Sequence, residues 1–323
     1  MVFLKEENSM IITYQISESG IVETKSTKQA NWLVLKNASQ NEIQAVIEQF
    51  KLPNDIFIGA DQAEEVTRFE KLNKTDLQDS YSLVLMNLSA HTKQKIETRL
   101  EPVSFVISDE LLITHVSGNS DFVDRLLEKY GPETTSAQRL ISFAILMTYT
   151  HFIKELFELK KIIDELDQAA RRTTENVELF RLADTERRIV YLDHTLQDQA
   201  ETLSVLWQEK SFINRVEDEA LIYDIKLRQR HADKLVHVYR DLLETIGGLF
   251  TDMMDNNLNH LMKYLDSAAL IISVPALIAG IWGMNTGGMP GKSSSLGFFL
   301  VMGLAVVLTF VVAIHLKHKD FNK

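Results

Sequence analysis

The chain contains no cysteine, which excludes disulfides, thiolate zinc sites, iron–sulfur clusters and cysteine nucleophiles. Positive charge is also scarce: 34 Lys plus Arg stand against 45 Asp plus Glu, a formal net charge of −11. A nucleic-acid binder needs a cationic footprint to displace counterions, so a general role on nucleic acid is not expected. The motifs of common catalysts are missing. There is no GxSxG elbow, Walker A loop, HExxH pair or GxGxxG fingerprint, so an enzyme or an ATP-driven pump is not expected. The nine histidines are scattered. His231 and His237 are six apart and do not share a helix face, and His315 and His318 lie near the C-terminal end.

Helix breakers are absent from one long stretch. Between Glu133 and Ile246 there is neither Gly nor Pro, and Leu, Glu, Lys, Gln, Arg and Ala recur at helical spacing, which predicts long helices. Breaks are expected near Arg172 to Glu175 and near Lys210 to Asn214, where Ser211 is a candidate cap. The last helix is then expected from about Arg215 through Ser267 into the membrane, some ~65 residues or roughly 100 Å at ~1.5 Å per residue. Such a length suits a stalk feeding a transmembrane segment. Before Pro132 the pattern is different, with strand-like runs at Met10–Tyr14, Trp32–Leu35, Ile56–Ile58, Ser82–Leu85, Val103–Ile107 and Leu111–Val116. A helix over Gln40–Phe50, capped by Ser39, lies among them. This is the signature of an α/β domain.

Charge disappears from Ser267 to Gly291 and again from Ser293 to Leu316. The apolar cores Ala268–Met284 and Leu296–Leu316 are each close to the ~20 residues that a helix needs to cross a bilayer. The start, MVFLKEENSM, has no apolar run behind its charges, so no secretory leader is expected. The basic end, Lys317 to Lys323, favours the cytoplasmic side, and two spans put the N-terminal part on that same side. The expected organisation, that of a multi-pass protein of the cell membrane, is a cytoplasmic α/β domain (1–131), a long-helix stalk (132–266), a pore-lining first span (267–285), an external loop (286–295), a second span (296–316) and a basic cytoplasmic tail (317–323).

Two interleaved seven-residue series run along the last long helix. Gly248, Asp255, Met262, Ala269 and Ala276 form one, and Asp252, Asn259, Asp266, Ser273 and Gly280 form the other. A coiled-coil seam is apolar and branched, whereas this one is small, polar or acidic and enters a membrane span. Inside a bilayer such a stripe must face other helices or water. Close helix packing through small residues is one reading; lining an aqueous pore is the other, and it requires several copies around an axis because two spans cannot enclose a path.

The stripe ends at Gly283-Met284-Asn285, followed by Thr286-Gly287-Gly288-Met289-Pro290. A Gly-Met-Asn at the outer end of the first of two C-terminal spans, with a Met-Pro loop, a long upstream helix and an N-terminal α/β domain, closely resembles the CorA-type divalent-cation transporters. Asn256, Asn259, Met262, Lys263 and Leu265 also fall at the spacing seen in that family. The resemblance implies a homopentamer in the lipid bilayer, with the first span around the pore and the second outside. It implies a selectivity filter of Gly283, Met284 and Asn285, and a pore lined by Asn259, Met262, Leu265, Asp266, Ala269, Ser273, Ala276 and Gly280. Met262 and Leu265 resemble the family's apolar neck, and Gly283 is expected to let the chain turn at the helix end. Asp266 has a competing role in an ion pair with Lys263.

Mg²⁺ is the implied cargo, with Co²⁺ or Ni²⁺ tolerated. Trp282 stands where the family usually has Tyr, Ala276 where some relatives have a hydroxyl, and Gly291-Lys292 where many magnesium transporters have an acid. The Gly-Gly-Met-Pro-Gly loop resembles the zinc-transporting ZntB-type branch, so Zn²⁺ is the alternative cargo; Met284 favours magnesium and cobalt. Asp224, and more weakly Asp79, match positions of an intersubunit regulatory metal site. A membrane-tethered coiled-coil scaffold or sensor is the reading from a different class.

Overall fold

In the computed structural model, residues 11–320 are described apart from 27, 58–65, 90–94, 173–174, 287–290 and 292–293. A seven-stranded sheet is built from β1 (Ile11–Ser17), β2 (Gly20–Glu23), β3 (Trp32–Lys36), β4 (Arg68–Lys71), β5 (Tyr81–Leu88), β6 (Leu100–Ile107) and β7 (Leu112–Val116), in the order β2-β1-β3-β7-β6-β5-β4. Only β3 and β7 pair in parallel, with Trp32 opposite Leu112; the other neighbours are antiparallel. The inner strands are buried on both faces, which explains their continuous apolar runs. On one face α1 (Gln40–Phe50) seats Val46, Ile47 and Phe50 against Leu33, Leu35, Val106 and Ile113. Ser39 caps that helix as expected, accepting the Glu42 N–H at 3.3 Å while Glu42 accepts the Ser39 N–H at 2.8 Å.

The sequence pattern missed two strands, misplaced one and missed a short helix. β2 and β4 are four-residue edges, and the Arg-Phe-Glu-Lys of β4 is the charged composition that blunts an edge. Ile56 and Phe57 belong to a turn after Pro53, with Ile56 N–H donating to the Pro53 carbonyl at 3.2 Å; they are apolar because they fill the core under α1. Ile58 and Met10 lie outside the described residues. The helix α2 (Ile96–Arg99) precedes β6, and α3 (Phe122–Tyr130) follows β7.

Three long helices follow: α4 (Ala137–Ala170), α5 (Asn176–Leu206) and, after the short α6 (Lys210–Val216), α7 of 64 residues (Glu219–Trp282). The break at 171–175 is as expected. The second break differs in detail. Glu209, not Ser211, caps α6, its carboxylate accepting the Ser211 N–H and hydroxyl. Glu217 then takes a left-handed φ of 54° and Asp218 accepts the Leu221 N–H at 2.9 Å, so α7 begins at Glu219 and not at Arg215. The last helix is α8 (Ser295–Asp320).

Three helices, α4, α7 and α8, are long and apolar enough to cross a membrane. Burial separates them: 78% of the apolar window of α4 is buried, against 0% for α7 and 11% for α8. The apolar residues of α4 are spent on the sheet unit, where Leu140, Ile141, Ile145, Phe152 and Leu156 are core. The chain divides into two units at Ile246 and Gly247 within α7. In the first, α7 buries Leu221, Ile222, Ile225, Ala232, Val236, Tyr239, Leu243 and Ile246 along one helical face. In the second, no residue from Thr251 to Trp282 is buried.

Candidate ion pathway

The second unit includes the end of α7 and the helix α8. From Asp255 to Trp282 the half-buried residues of α7 are Ser267, Ala268, Ile271, Val274, Pro275, Ile278 and Trp282. At about 100° per residue they form one face. Trp282, Pro275 and Ile278 border an apolar groove of about 760 Å³ shared with Phe298, Met302 and Ala305 of α8, so this is the face that packs on α8.

The polar stripe lies opposite. Met262, Asp266, Ala269, Ser273, Ala276 and Gly280 fall within about 40° of the line diametrically across from that face, and Asn259 and Leu265 about 60° to either side. All eight are exposed, although Ala276 also reaches the rim of the groove. The Ser273 hydroxyl donates to the Leu270 carbonyl at 2.9 Å, leaving its oxygen lone pairs free to accept. Lys263 and Asp266 form no ion pair among the described residues. Met262 and Leu265 are 61% and 56% exposed, a large apolar surface that a single chain leaves uncovered.

The helix ends one residue before the Gly-Met-Asn. The Gly283 N–H still donates to the Ala279 carbonyl at 2.8 Å, and the Met284 N–H tightens onto Ile281 at 3.2 Å. Gly283 lies in the turn at the helix end without a left-handed backbone. Its reason is space: a Cβ there meets the Ala279 carbonyl at 3.0 Å. Asn285 is exposed just past this end. Gly291 does take a left-handed φ of 75° and lies against Gly297, where an added Cβ meets the Gly291 oxygen at 2.2 Å. Backbone contact between these glycines sets Gly291 against the start of α8, whose first turn is capped by the Ser294 hydroxyl accepting the Leu296 N–H at 3.2 Å. Most of the expected external loop, residues 287–290 and 292–293, and the end of the basic tail, 321–323, lie outside the described residues.

Asp224 and Asp79 both belong to the sheet unit. Asp224 is exposed on α7 beside a groove bordered by Phe157, Arg228 and His231. Asp79 has a left-handed φ of 44° in the turn before β5, and the hydrogen bond from Lys71 at 2.8 Å holds its carboxyl below the usual range. Among the described residues, neither sits in a group of three acidic or histidine side chains able to hold a metal.

Known proteins share this architecture. The chain is similar to the cobalt/magnesium transport protein CorA of Thermotoga maritima, 22% identical over 80% of this chain and 75% of that protein. It is similar also to the zinc transport protein ZntB of Pectobacterium carotovorum, 27% identical over 76% of each. The solved complete structure of the CorA magnesium transporter from Methanocaldococcus jannaschii superposes with a TM-score of 0.74 at 20% identity, over 97% of this chain and 98% of that one. The CorA-like Mg2+ transporter protein family matches residues 27–318, nine-tenths of the chain, and the chain belongs to that family.

Proposed function

We propose that this chain forms a pathway for hydrated divalent cations, Mg²⁺ first with Co²⁺ and Ni²⁺ tolerated, across the cell membrane. The observation that carries the reading is the opposition of the two faces of α7. One face packs on α8, and the other holds the small and polar residues that lead to Asn285. An aqueous path along that face needs several copies around an axis, as a homopentamer with α7 inside and α8 toward lipid. Both termini are cytoplasmic in this reading.

The chemistry suits Mg²⁺, which dehydrates reluctantly. A ring of Asn285 amides accepts hydrogen bonds from the ion's waters without stripping them, and binds weakly enough for release. Gly283 and Met284 complete the filter by setting the approach of the Asn285 ring. Deeper in, Asn259 and Ser273 accept from the same waters, Asp266 supplies attraction, and Ala269, Ala276 and Gly280 leave room. Met262 and Leu265 form an apolar neck that closes by excluding water. The driving force is the ion gradient and the membrane potential; a divalent charge crossing ~100 mV gains about 4.6 kcal/mol.

Asp224 and Asp79 act as a regulatory pair between neighbouring copies. Cytoplasmic Mg²⁺ bridging them offsets the repulsion of the carboxylates, holds the assembly closed and so limits its own entry. Zn²⁺ is the second reading, favoured by the Gly-Gly-Met-Pro-Gly loop and by the similarity to ZntB proteins. Flux of Mg²⁺ and Zn²⁺ into proteoliposomes, with and without a proton gradient, decides between them. Mg²⁺ entry without a proton gradient supports the first reading, proton-dependent Zn²⁺ entry the second, and absence of both supports a scaffold.

A further inference from the structure

A polar cleft of about 420 Å³ opens in the sheet unit where four segments converge. The β1–β2 turn brings Glu18, the β6–β7 turn brings Asp109 and Glu110, the first turn of α4 brings Gln138, and the α6–α7 junction brings Arg215 and Glu217. Arg215 is held by Asp109 at 2.6 Å. Glu18, Glu110 and Glu217 have no ion pair or side-chain hydrogen bond among the described residues. Gln138 is only 7% exposed, and its side-chain amide, unlike its main-chain carbonyl, has no hydrogen-bond partner there. Asn31 in the same cleft contrasts with it, since its amide is consumed by Ile16 N–H at 2.7 Å and Ile16 carbonyl at 2.9 Å. The Gln138 amide is therefore open to the water of the cleft.

We propose that this cleft binds a hydrated divalent cation. Once Asp109 and Arg215 cancel, three carboxylates remain to face a buried amide that has a free acceptor. Among the described residues lining the cleft, the remaining opposing element is the start of α4, a partial positive charge of about half a unit, which three full carboxylates exceed. The described residues contain no group of three acidic or histidine side chains close enough to ligate a bare ion. The ion therefore enters with its water shell, and the carboxylates and Gln138 Oε1 accept from the waters. Six waters at ~30 Å³ each occupy about 180 Å³, well inside the cleft. A divalent ion gains twice the attraction of a monovalent one at the same place. The bound ion ties the α6–α7 junction to two turns of the sheet, at a place separate from Asp224 and independent of whether ions pass along the stripe of α7.

The test is calorimetric titration of the full-chain protein in detergent with MgCl₂ at physiological ionic strength. Gln138→Leu is expected to weaken one class of Mg²⁺ sites about tenfold, the equivalent of one hydrogen bond of about 1.4 kcal/mol. Glu110→Gln with Glu217→Gln is expected to remove that class, and Asp224→Asn to leave it in place. Cobalt(III) hexaammine, whose ligands do not exchange, is expected to displace Mg²⁺ from it. Melting curves in chelator identical to wild type establish that the variants fold; Glu18→Gln, on an exposed turn, serves if Gln138→Leu does not. Wild-type isotherms in the folded variants, or no displacement by hexaammine, would overturn the proposal.

Discussion

Arg99 and Glu155 face each other through two parallel hydrogen bonds, Nη1 to Oε1 at 2.9 Å and Nη2 to Oε2 at 2.8 Å. Both side chains are buried, 4% and 5% exposed. Arg188 from α5 donates to the same carboxylate, so one acid joins α2, α4 and α5. Burial alone would raise the Glu155 pKa, but the two guanidinium groups hold it below the usual carboxylate range. Its contribution to stability is therefore present above the unfolded pKa and lost as pH falls through the folded one. Arg99→Met strands part of that buried charge, at a cost of about 3 kcal/mol. A fall in melting temperature of roughly 6–12 °C is expected; a shift near zero would show the pair to be neutral.

His151 lowers stability in acid as well, but by a different route. Its Nδ1 lies 2.9 Å from Asn87 Oδ1, and Asn87 Nδ2 donates to Glu101 at 2.7 Å, so the network assigns the imidazole proton to Nδ1. Burial first, then the positive charges of Arg125, Lys129 and Lys154 against Asp121, push its pKa down to about 4. The unfolded chain therefore takes up a proton that the folded one refuses, and stability falls as pH drops from about 6.5 toward 4, by at most about 3 kcal/mol. In melting curves between pH 7 and pH 5, His151→Gln is expected to lose less than wild type; parallel losses would assign the acid sensitivity elsewhere.

At the outer end of α7, Asn285→Ala is expected to reduce Mg²⁺ flux to background in proteoliposomes while the oligomer assembles normally. The substitution removes an exposed amide and touches no packed side chain. Near-normal flux through a well-assembled variant would take Asn285 out of the filter.

At the neck, Met262→Asp or Leu265→Asp is expected to raise resting current, because an apolar gate closes by losing water. Currents equal to wild type at matched expression would place the gate elsewhere along the stripe.

For regulation, Asp224→Lys is expected to weaken Mg²⁺-dependent protection of the sheet unit from protease, to leave protection in chelator unchanged, and to relieve inhibition of flux by internal Mg²⁺. Asp79→Ala is expected to move the same way. Wild-type behaviour of Asp224→Lys would make it an ordinary solvated acid.

Local signals were readable where chemistry and spacing coincide. Ser39 announced the start of α1, and the chargeless segments announced the two terminal helices. The edge strands were not readable, because Arg68–Lys71 carries charge where a strand pattern needs alternation. Ile56 and Phe57 misled for the converse reason, since a buried turn is as apolar as a strand. The small and polar stripe was visible as a periodicity, but which side of α7 meets α8 depends on Pro275, Ile278 and Trp282 packing on a helix about 20 residues later. The cleft around Gln138 was beyond reach, because Glu18, Glu110 and Glu217 meet it only through the topology of the sheet and the turn before α7.

The two opposed faces of α7 also set what kinds of genetic change the chain can survive. Replacing one small residue of the stripe by another leaves both faces where they were. Deleting a single residue between Thr251 and Ser267 turns everything beyond it by about 100°. That rotation carries Ser273 and Gly280 off the line of the stripe residues before the deletion, while α8, which follows them in the chain, turns with them. Length between those points is thus under tighter constraint than identity, and insertions should be tolerated only in steps near seven residues, which restore the angle to within about 20°.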